Sequence, residues 1–289
     1  MNLMQISSSR RSVTIATALI GVLSLAIGAH GALNKQTSVT PDVVSVEQSV
    51  DVPGKPSRIA LVIGNGHYPD ADTPLTQSIN DARGLTTSLR HDGFDVEVVE
   101  DASRDDMDRA IGRLKSKIKP DSVVMVFFGG YGIQVGSENY MIPVDAAIWK
   151  ESDVRRNGIS IESVLEMMKE QGACAKLVVI DAARRNPYER RFRAYSHGLA
   201  PIIAPDNALV LTSATADKVA DDSSGQYSAL MSELLNNLTG QQLDKTDAES
   251  VFDKTRVAVA RDSEGEQVPS LSSSLQEDVR FGVSGNFGG

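Results

Sequence analysis

The sequence predicts an α/β fold, a mostly parallel sheet with helices on both faces. Three observations carry that prediction. All-apolar runs recur at 59–63, 123–128, 177–180 and 208–211, the mark of strands buried on both faces. Between them lie segments with apolar residues three and four apart, which read as helices. Alternation of the two requires crossovers, and crossovers make neighbouring strands parallel.

The first 32 residues stand apart from this pattern. Arg10 and Arg11 precede an apolar run of small residues at 13–29, then Ala29-His30-Gly31-Ala32. That order fits a secretory signal. The run is short against the ~20 residues a membrane span needs, so a retained signal-anchor is the alternative. Residues 33–56 have no clear periodicity and read as a linker. The domain is expected over 57–283, with a Gly-rich tail at 284–289.

Within the domain, the run 59–63 ends in Gly64-Asn65-Gly66-His67-Tyr68. A lone Gly-x-Gly after a strand is weak grounds for a phosphate site, and Pro69 and Pro74 break the expected helix start, so a dinucleotide site is rejected. A helix is expected over 78–89, stopped by Gly93, then an outer strand at 94–99 that alternates apolar and acidic residues. Ser103 is placed to cap the next helix, with Asp105, Asp106 and Asp108 in its first turn, where the dipole favours anions. Met107, Ile111, Leu114 and Ile118 form its apolar stripe, and Pro120 stops it. The strand at 123–128 leads into Gly129-Gly130-Tyr131-Gly132-Ile133-Gln134. Residues 139–145 read as a short extended segment and 161–171 as an amphipathic helix. The run 177–180 then gives way to Asp181-Ala182-Ala183-Arg184-Arg185-Asn186-Pro187, a polar loop at a strand's carboxyl end, where ligands meet open α/β sheets. Helices at 227–238 and from Thr246-Asp247-Ala248-Glu249 to about 260, and an edge strand within 268–281, complete the chain.

Composition bounds the partners. The 289 residues are 41% hydrophobic and 23% charged, with net charge −9. An acidic protein gives no bulk partner for nucleic acid, which needs a basic face. It gives no support to binding an anionic membrane surface either, so membrane contact is expected only through an uncleaved N-terminal segment. The one cysteine, Cys174, excludes an intramolecular disulfide and a cysteine metal cluster. No metal or cofactor is expected. Arg184, Arg185, Arg190, Arg191 and Arg193 make a basic patch, either a solvated loop or a site for an acidic partner.

The ordered motifs carry a resemblance. They are Ala60-Leu61-Val62-Ile63-Gly64-Asn65, Asn80-Asp81-Ala82, residues 127–134, Asn139-Tyr140, Pro143-Val144-Asp145, Asp181-Ala182, Asn186-Pro187, Gly198-Leu199-Ala200-Pro201, residues 218–222, Val251-Phe252 and Val268-Pro269. In this order and spacing the chain, from about 58 to 281, resembles the caspase/metacaspase-like cysteine peptidases of bacteria, the C14 peptidases. The resemblance implies a three-layer sandwich around a six-stranded, mainly parallel sheet. A large-subunit-like part would cover 57–200 and a small-subunit-like part 201–283. It also implies that the catalytic His should stand at Tyr131 and the catalytic Cys at Ala183.

Both substitutions remove chemistry. Cysteine peptidases need a thiolate to attack and an imidazole to activate it and protonate the leaving amine. Alanine has no heteroatom, and a phenol with an ordinary pKa of about 10 is a poor base at neutral pH. Members of a catalytic unit act together, so losing both leaves no route by this mechanism. Cys174, nine residues before Ala183, is expected roughly 30 Å away by strand rise. His67, like His91 and His197, reads as a surface residue.

The resemblance further implies that aspartates at the positions of Asp81 and Asp181 bind a basic substrate side chain. Two carboxylates in one cleft hold a guanidinium by charge-assisted hydrogen bonds. The other reading is that Asp81 braces a helix while Asp181 pairs with Arg184 or Arg185. Gly130 and Gly132 fit a turn whose backbone approaches a ligand, and Tyr131 is expected to plug the cleft. The functional expectation is an exported pseudopeptidase at the periplasm or the periplasmic face of the inner membrane, binding a protein or basic peptide. Rivals are an active hydrolase using another residue, a member that works only with a catalytic partner subunit, and a self-assembling structural domain that forms homo-oligomers.

Overall fold

The four apolar runs become four adjacent strands. The computed structural model describes residues 56–71, 74–185, 187–188, 198–220, 225–239 and 247–282. The expected leader (1–32), the linker up to 55, the tail at 284–289, and Arg190, Arg191, Arg193 and His197 lie outside them. In chain order the elements are β1 (Arg58–Gly64), α1 (Thr76–His91), β2 (Asp95–Glu100), α2 (Arg104–Lys117), β3 (Val123–Gly129), β4 (Gly132–Val135) and β5 (Glu138–Met141). There follow α3 (Glu151–Asn157), β6 (Ile159–Ser160), α4 (Ile161–Glu170), β7 (Ala175–Asp181), β8 (Ala208–Thr212), α5 (Ala229–Thr239), α6 (Ala248–Asp262) and β9 (Ser270–Ser273).

The main sheet runs β2-β1-β3-β7-β8-β9, parallel except for β9, which pairs antiparallel with β8. Every residue of β3 and β7 is buried, because both strand faces are covered. Side chains alternate between two cores. Ile59, Leu61 and Ile63 join Met107, Leu114, Leu165 and Met168 on the α2/α4 face. Ala60 and Val62 join Leu85, Leu89, Leu230, Leu234 and Phe252 on the α1/α5/α6 face. Burying one such side chain contributes roughly 1.5–3 kcal/mol, so these two layers outweigh any surface pairing.

The edge strand β2 is guarded by charge. Arg83 pairs with Glu100 at 2.6 Å, Lys117 with Asp95 at 2.8 Å, and Arg113 with Glu97. Exposed pairs of this kind contribute about 0–1 kcal/mol, so their role is to keep another strand from pairing there. At the other edge stands β9, the strand expected within 268–281.

Local signals set most helix starts. Ser103 accepts the Asp106 N–H at 3.2 Å while Asp106 accepts the Ser103 N–H at 3.2 Å, a reciprocal capping box. Other boundaries differ from expectation. Helix α1 begins at Thr76 and runs to His91, longer at both ends than 78–89. The α6 cap is Asp247, whose side chain accepts the Ser250 N–H at 2.8 Å; Thr246, the expected cap, lies outside the described residues. Residues 139–145 are not a lone extended segment. Asn139–Met141 belong to β5 in an antiparallel three-stranded sheet, β4-β5-β6, with α3 beside it. Among the described residues no helix is long and apolar enough to cross a membrane.

Candidate functional site

Strand register builds the site. Gly64 at the end of β1 aligns with Gly129 at the end of β3, and Gly129 aligns with Asp181 at the end of β7. Pairing continues beyond the strands: the Gly130 N–H donates to the Asp181 carbonyl at 3.2 Å, and the Gly132 N–H to the Ala182 carbonyl at 2.9 Å. The segments carrying Tyr131 and Ala183 therefore run side by side at the sheet's carboxyl edge. Ala183 is fully buried. Its N–H donates to Ser213 Oγ at 3.3 Å, and its carbonyl accepts the Ala220 N–H at 2.6 Å.

Tyr131 faces the protein interior. It is 8% exposed and meets the Tyr68 ring edge-on, with centroids 4.8 Å apart and planes at 67°. The Tyr131 N–H donates to Tyr68 Oη at 3.1 Å, and Tyr68 Oη donates to the Ile142 carbonyl at 2.9 Å. Burial holds the Tyr68 phenol well above its ordinary pKa, so it stays a neutral donor. Tyr188, Tyr140 and Ile133 pack into the same cluster. The glycines serve this packing rather than an open cleft. A β-carbon at Gly130 would lie 2.5 Å from Tyr68 Oη, and one at Gly132 would lie 2.8 Å from the Ala182 carbonyl oxygen. What approaches their backbones is the protein itself.

Asp81, on α1, and Asp181 lie together beside these loops. They are 0% and 1% exposed. Asp81 Oδ1 accepts the Ser228 N–H at 3.0 Å. Ser228 caps α5, its Oγ accepting the Met231 N–H at 3.1 Å. Asp81 thus braces a helix start 147 residues away. The Arg184 guanidinium folds back to Asp181, Nη2 lying 3.7 Å from Oδ1, and is itself buried. Oδ2 of each aspartate has no hydrogen-bond partner among the described residues, nor does Ser78 Oγ nearby on α1. Burial first, and then the neighbouring Asp181 charge, push the Asp81 carboxyl up to about 7, against the pull of Ser228 and Arg184. Among the described residues one buried guanidinium, that of Arg184, faces the two carboxylates.

The remaining candidates lie elsewhere. Cys174 precedes β7, at the end of the sheet opposite Asp181, with Sγ 3.3 Å from the Asp121 carbonyl. Burial, with Glu277 and Asp121, raises its pKa, the wrong direction for a nucleophile. His67 is surface-exposed, as expected, but not alone: Nδ1 lies 2.6 Å from Asp101 Oδ2. Asp101 Oδ1 accepts the Gly66 and His67 N–H groups, each at 2.9 Å. Sequence reasoning missed Tyr68, Asn65 and Ser228. Asn65 and Tyr68 sit in a loop without periodicity, and their partners Ala102, Tyr131 and Ile142 are distant in sequence. Ser228 was findable, as a serine just before the apolar run of α5.

A six-stranded, mostly parallel sheet covered on both faces, with two loops joined at its carboxyl edge, defines a three-layer α/β sandwich. The family model for the caspase domain of the C14 peptidases matches residues 57–280; the chain belongs to this family. It is 27% identical over 147 residues to mucosa-associated lymphoid tissue lymphoma translocation protein 1 of Homo sapiens, covering 50% of this chain and 17% of that protein. It is 26% identical over 136 residues to the homologous protein of Mus musculus, covering 46% of this chain and 16% of that one. The chain thus spans under a fifth of the length of these curated relatives.

Proposed function

We propose that this is a caspase-fold pseudopeptidase, exported to the cell envelope, that binds or scaffolds another protein or a basic peptide. One observation carries the reading. The backbone bonds from Gly130 and Gly132 to Asp181 and Ala182 join two segments in which, by the family resemblance, Tyr131 stands for the catalytic His and Ala183 for the catalytic Cys. Nucleophilic catalysis needs a nucleophile and base within hydrogen-bond reach, and a methyl group is no nucleophile. The Tyr131 ring is committed to packing on Tyr68. A preserved fold with this substitution pattern suits recognition. Export is supported by the order of charge, apolar run and small residues at 10–32.

The test uses purified protein with fluorogenic peptides ending in Arg or Lys, read for product and for peptide anisotropy in one sample. Anisotropy change without product supports the reading. Product that scales with protein concentration and survives further purification overturns it in favour of an unorthodox hydrolase, in which His67, oriented by Asp101, would be the base to examine first.

A further inference from the structure

We propose that the cleft between α2, α4 and the β5–β6 part of the small sheet binds a small zwitterion with apolar side chains, such as a free apolar dipeptide. The cleft measures about 380 Å³, within the roughly 300–1,000 Å³ of small-molecule sites. None of its lining residues belongs to the segments that carry Tyr131 and Asp181. Three features define its ligand. The first is balanced charge. Two cations, Arg104 and Arg155, and two carboxylates, Asp108 and Glu138, line it. They are paired: Arg104 Nε donates to Asp108 Oδ2 at 2.9 Å along α2, and Arg155 Nη1, on α3, donates to Glu138 Oε2 on β5. A lining with no net charge favours neither a lone anion nor a lone cation. A molecule carrying one charge of each sign matches both.

The second feature is that charged groups are held in place with atoms to spare. Arg104 Nη1 also donates to the Arg156 and Gly158 carbonyls, at 3.0 and 2.7 Å. Three bonds thus fix the guanidinium plane, while no described residue engages Nη2. On Glu138, Tyr140 Oη and Arg155 Nη1 both donate to Oε2, which leaves Oε1 unengaged among the described residues. The Tyr140 hydroxyl, with Arg155, holds the Glu138 carboxyl below its ordinary value, so it is an anion at neutral pH. Groups ordered before binding lose little freedom on binding. Arg104 Nη2 takes the ligand's carboxylate, and Glu138 Oε1 its ammonium. The third feature is aliphatic surface: Ile111, Ile159 and Val164 also line the cleft, and apolar side chains laid on them leave water.

The experiment titrates the full chain calorimetrically with L-leucyl-L-leucine. Two controls are N-acetyl-leucyl-leucine, which lacks the ammonium, and leucyl-leucinamide, which lacks the carboxylate. The free dipeptide is expected to bind saturably, in the millimolar range or tighter. Each blocked form should bind at least about tenfold more weakly, the worth of one charge-assisted hydrogen bond. Ser163 is exposed on α4 and lines the cleft, so Ser163→Trp fills the space and should weaken binding by at least about tenfold. Arg104→Lys keeps the charge but loses the planar fork, and should bring the free dipeptide toward the affinity of the amide. If Ser163→Trp folds poorly, Arg104→Lys carries the test. No binding of the free dipeptide overturns the assignment. So do blocked forms that bind as tightly, or binding that neither variant weakens. Binding alone is read, so the result is separate from the pseudopeptidase reading.

Discussion

Replacing Asp81 by Asn should make the protein more stable at neutral pH, and the gain should vanish in acid. The Asp81 carboxyl is raised to about 7 in the fold against an ordinary value of about 3.9 in the unfolded chain. Between these values the folded state holds a proton that the unfolded state has lost. Wild-type stability therefore falls as pH rises from about 4 to about 7 by ~1.4 kcal/mol per pH unit, then levels. Three units amount to ~4 kcal/mol at most. Asn has the shape of the protonated acid and its side-chain oxygen still accepts the Ser228 N–H, so the variant escapes the penalty. The value of about 7 already includes the Arg184 attraction, so Asp81→Asn should exceed wild type by up to about 4 kcal/mol at pH 8 and match it near pH 4.5. Urea unfolding across that range measures both curves. Parallel curves, or an Asn variant weaker than wild type at pH 8, would refute the view that burial and Asp181 together strain this carboxyl.

Three further outcomes follow from the same geometry. Asn65 is fully buried and ties two segments together, its Oδ1 accepting the Ala102 N–H at 2.8 Å and its Nδ2 donating to the Ile142 carbonyl at 3.2 Å. Asn65→Ala should cost about 2–3 kcal/mol in urea unfolding, since it strands a buried donor; a loss within experimental error would contradict the assignment. At Gly132 a β-carbon would fall 2.8 Å from both the Ala182 oxygen and Leu199 Cδ2. Gly132→Ala should therefore lower stability by about 1–3 kcal/mol, and a neutral result would mean the two loops are farther apart than described. Cys174, its thiol raised by burial and by Glu277 and Asp121, should react with iodoacetamide at pH 7.5 more slowly than free cysteine; faster reaction would count against its placement.

The fold was legible wherever local pattern and burial agree. The runs at 59–63, 123–128, 177–180 and 208–211 have no polar face to offer water, and they occupy the middle of the sheet. Ser103 with acids behind it could only be a helix start. The β4-β5-β6 sheet was less legible because its strands are two to four residues long, too short to show a period. Helix α3, at seven residues, hides for the same reason. That the segments carrying Tyr131 and Ala183 end neighbouring strands was also readable, since each follows a buried run. Their surroundings were not. Asp81 meets Ser228 across 147 residues, and no spacing rule reaches so far. Sequence left two readings of Asp181, and the structure places Arg184 against it; the direction of a side chain after a tight turn is set by packing. The role of Tyr68 is set by contacts distant in sequence, with Tyr131 and the Ile142 carbonyl, which no local pattern shows.

The central claim of the proposal is that Tyr131 and Ala183 stand where the family's imidazole and thiol would meet. The most direct measurement is the intact mass of Cys174→Ala protein after exposure to a peptidyl chloromethyl ketone ending in arginine. The account predicts an unmodified chain at reagent levels that fully label a working cysteine peptidase. A stoichiometric single adduct, mapped to the segment after β3 or β7 or to His67, would contradict it.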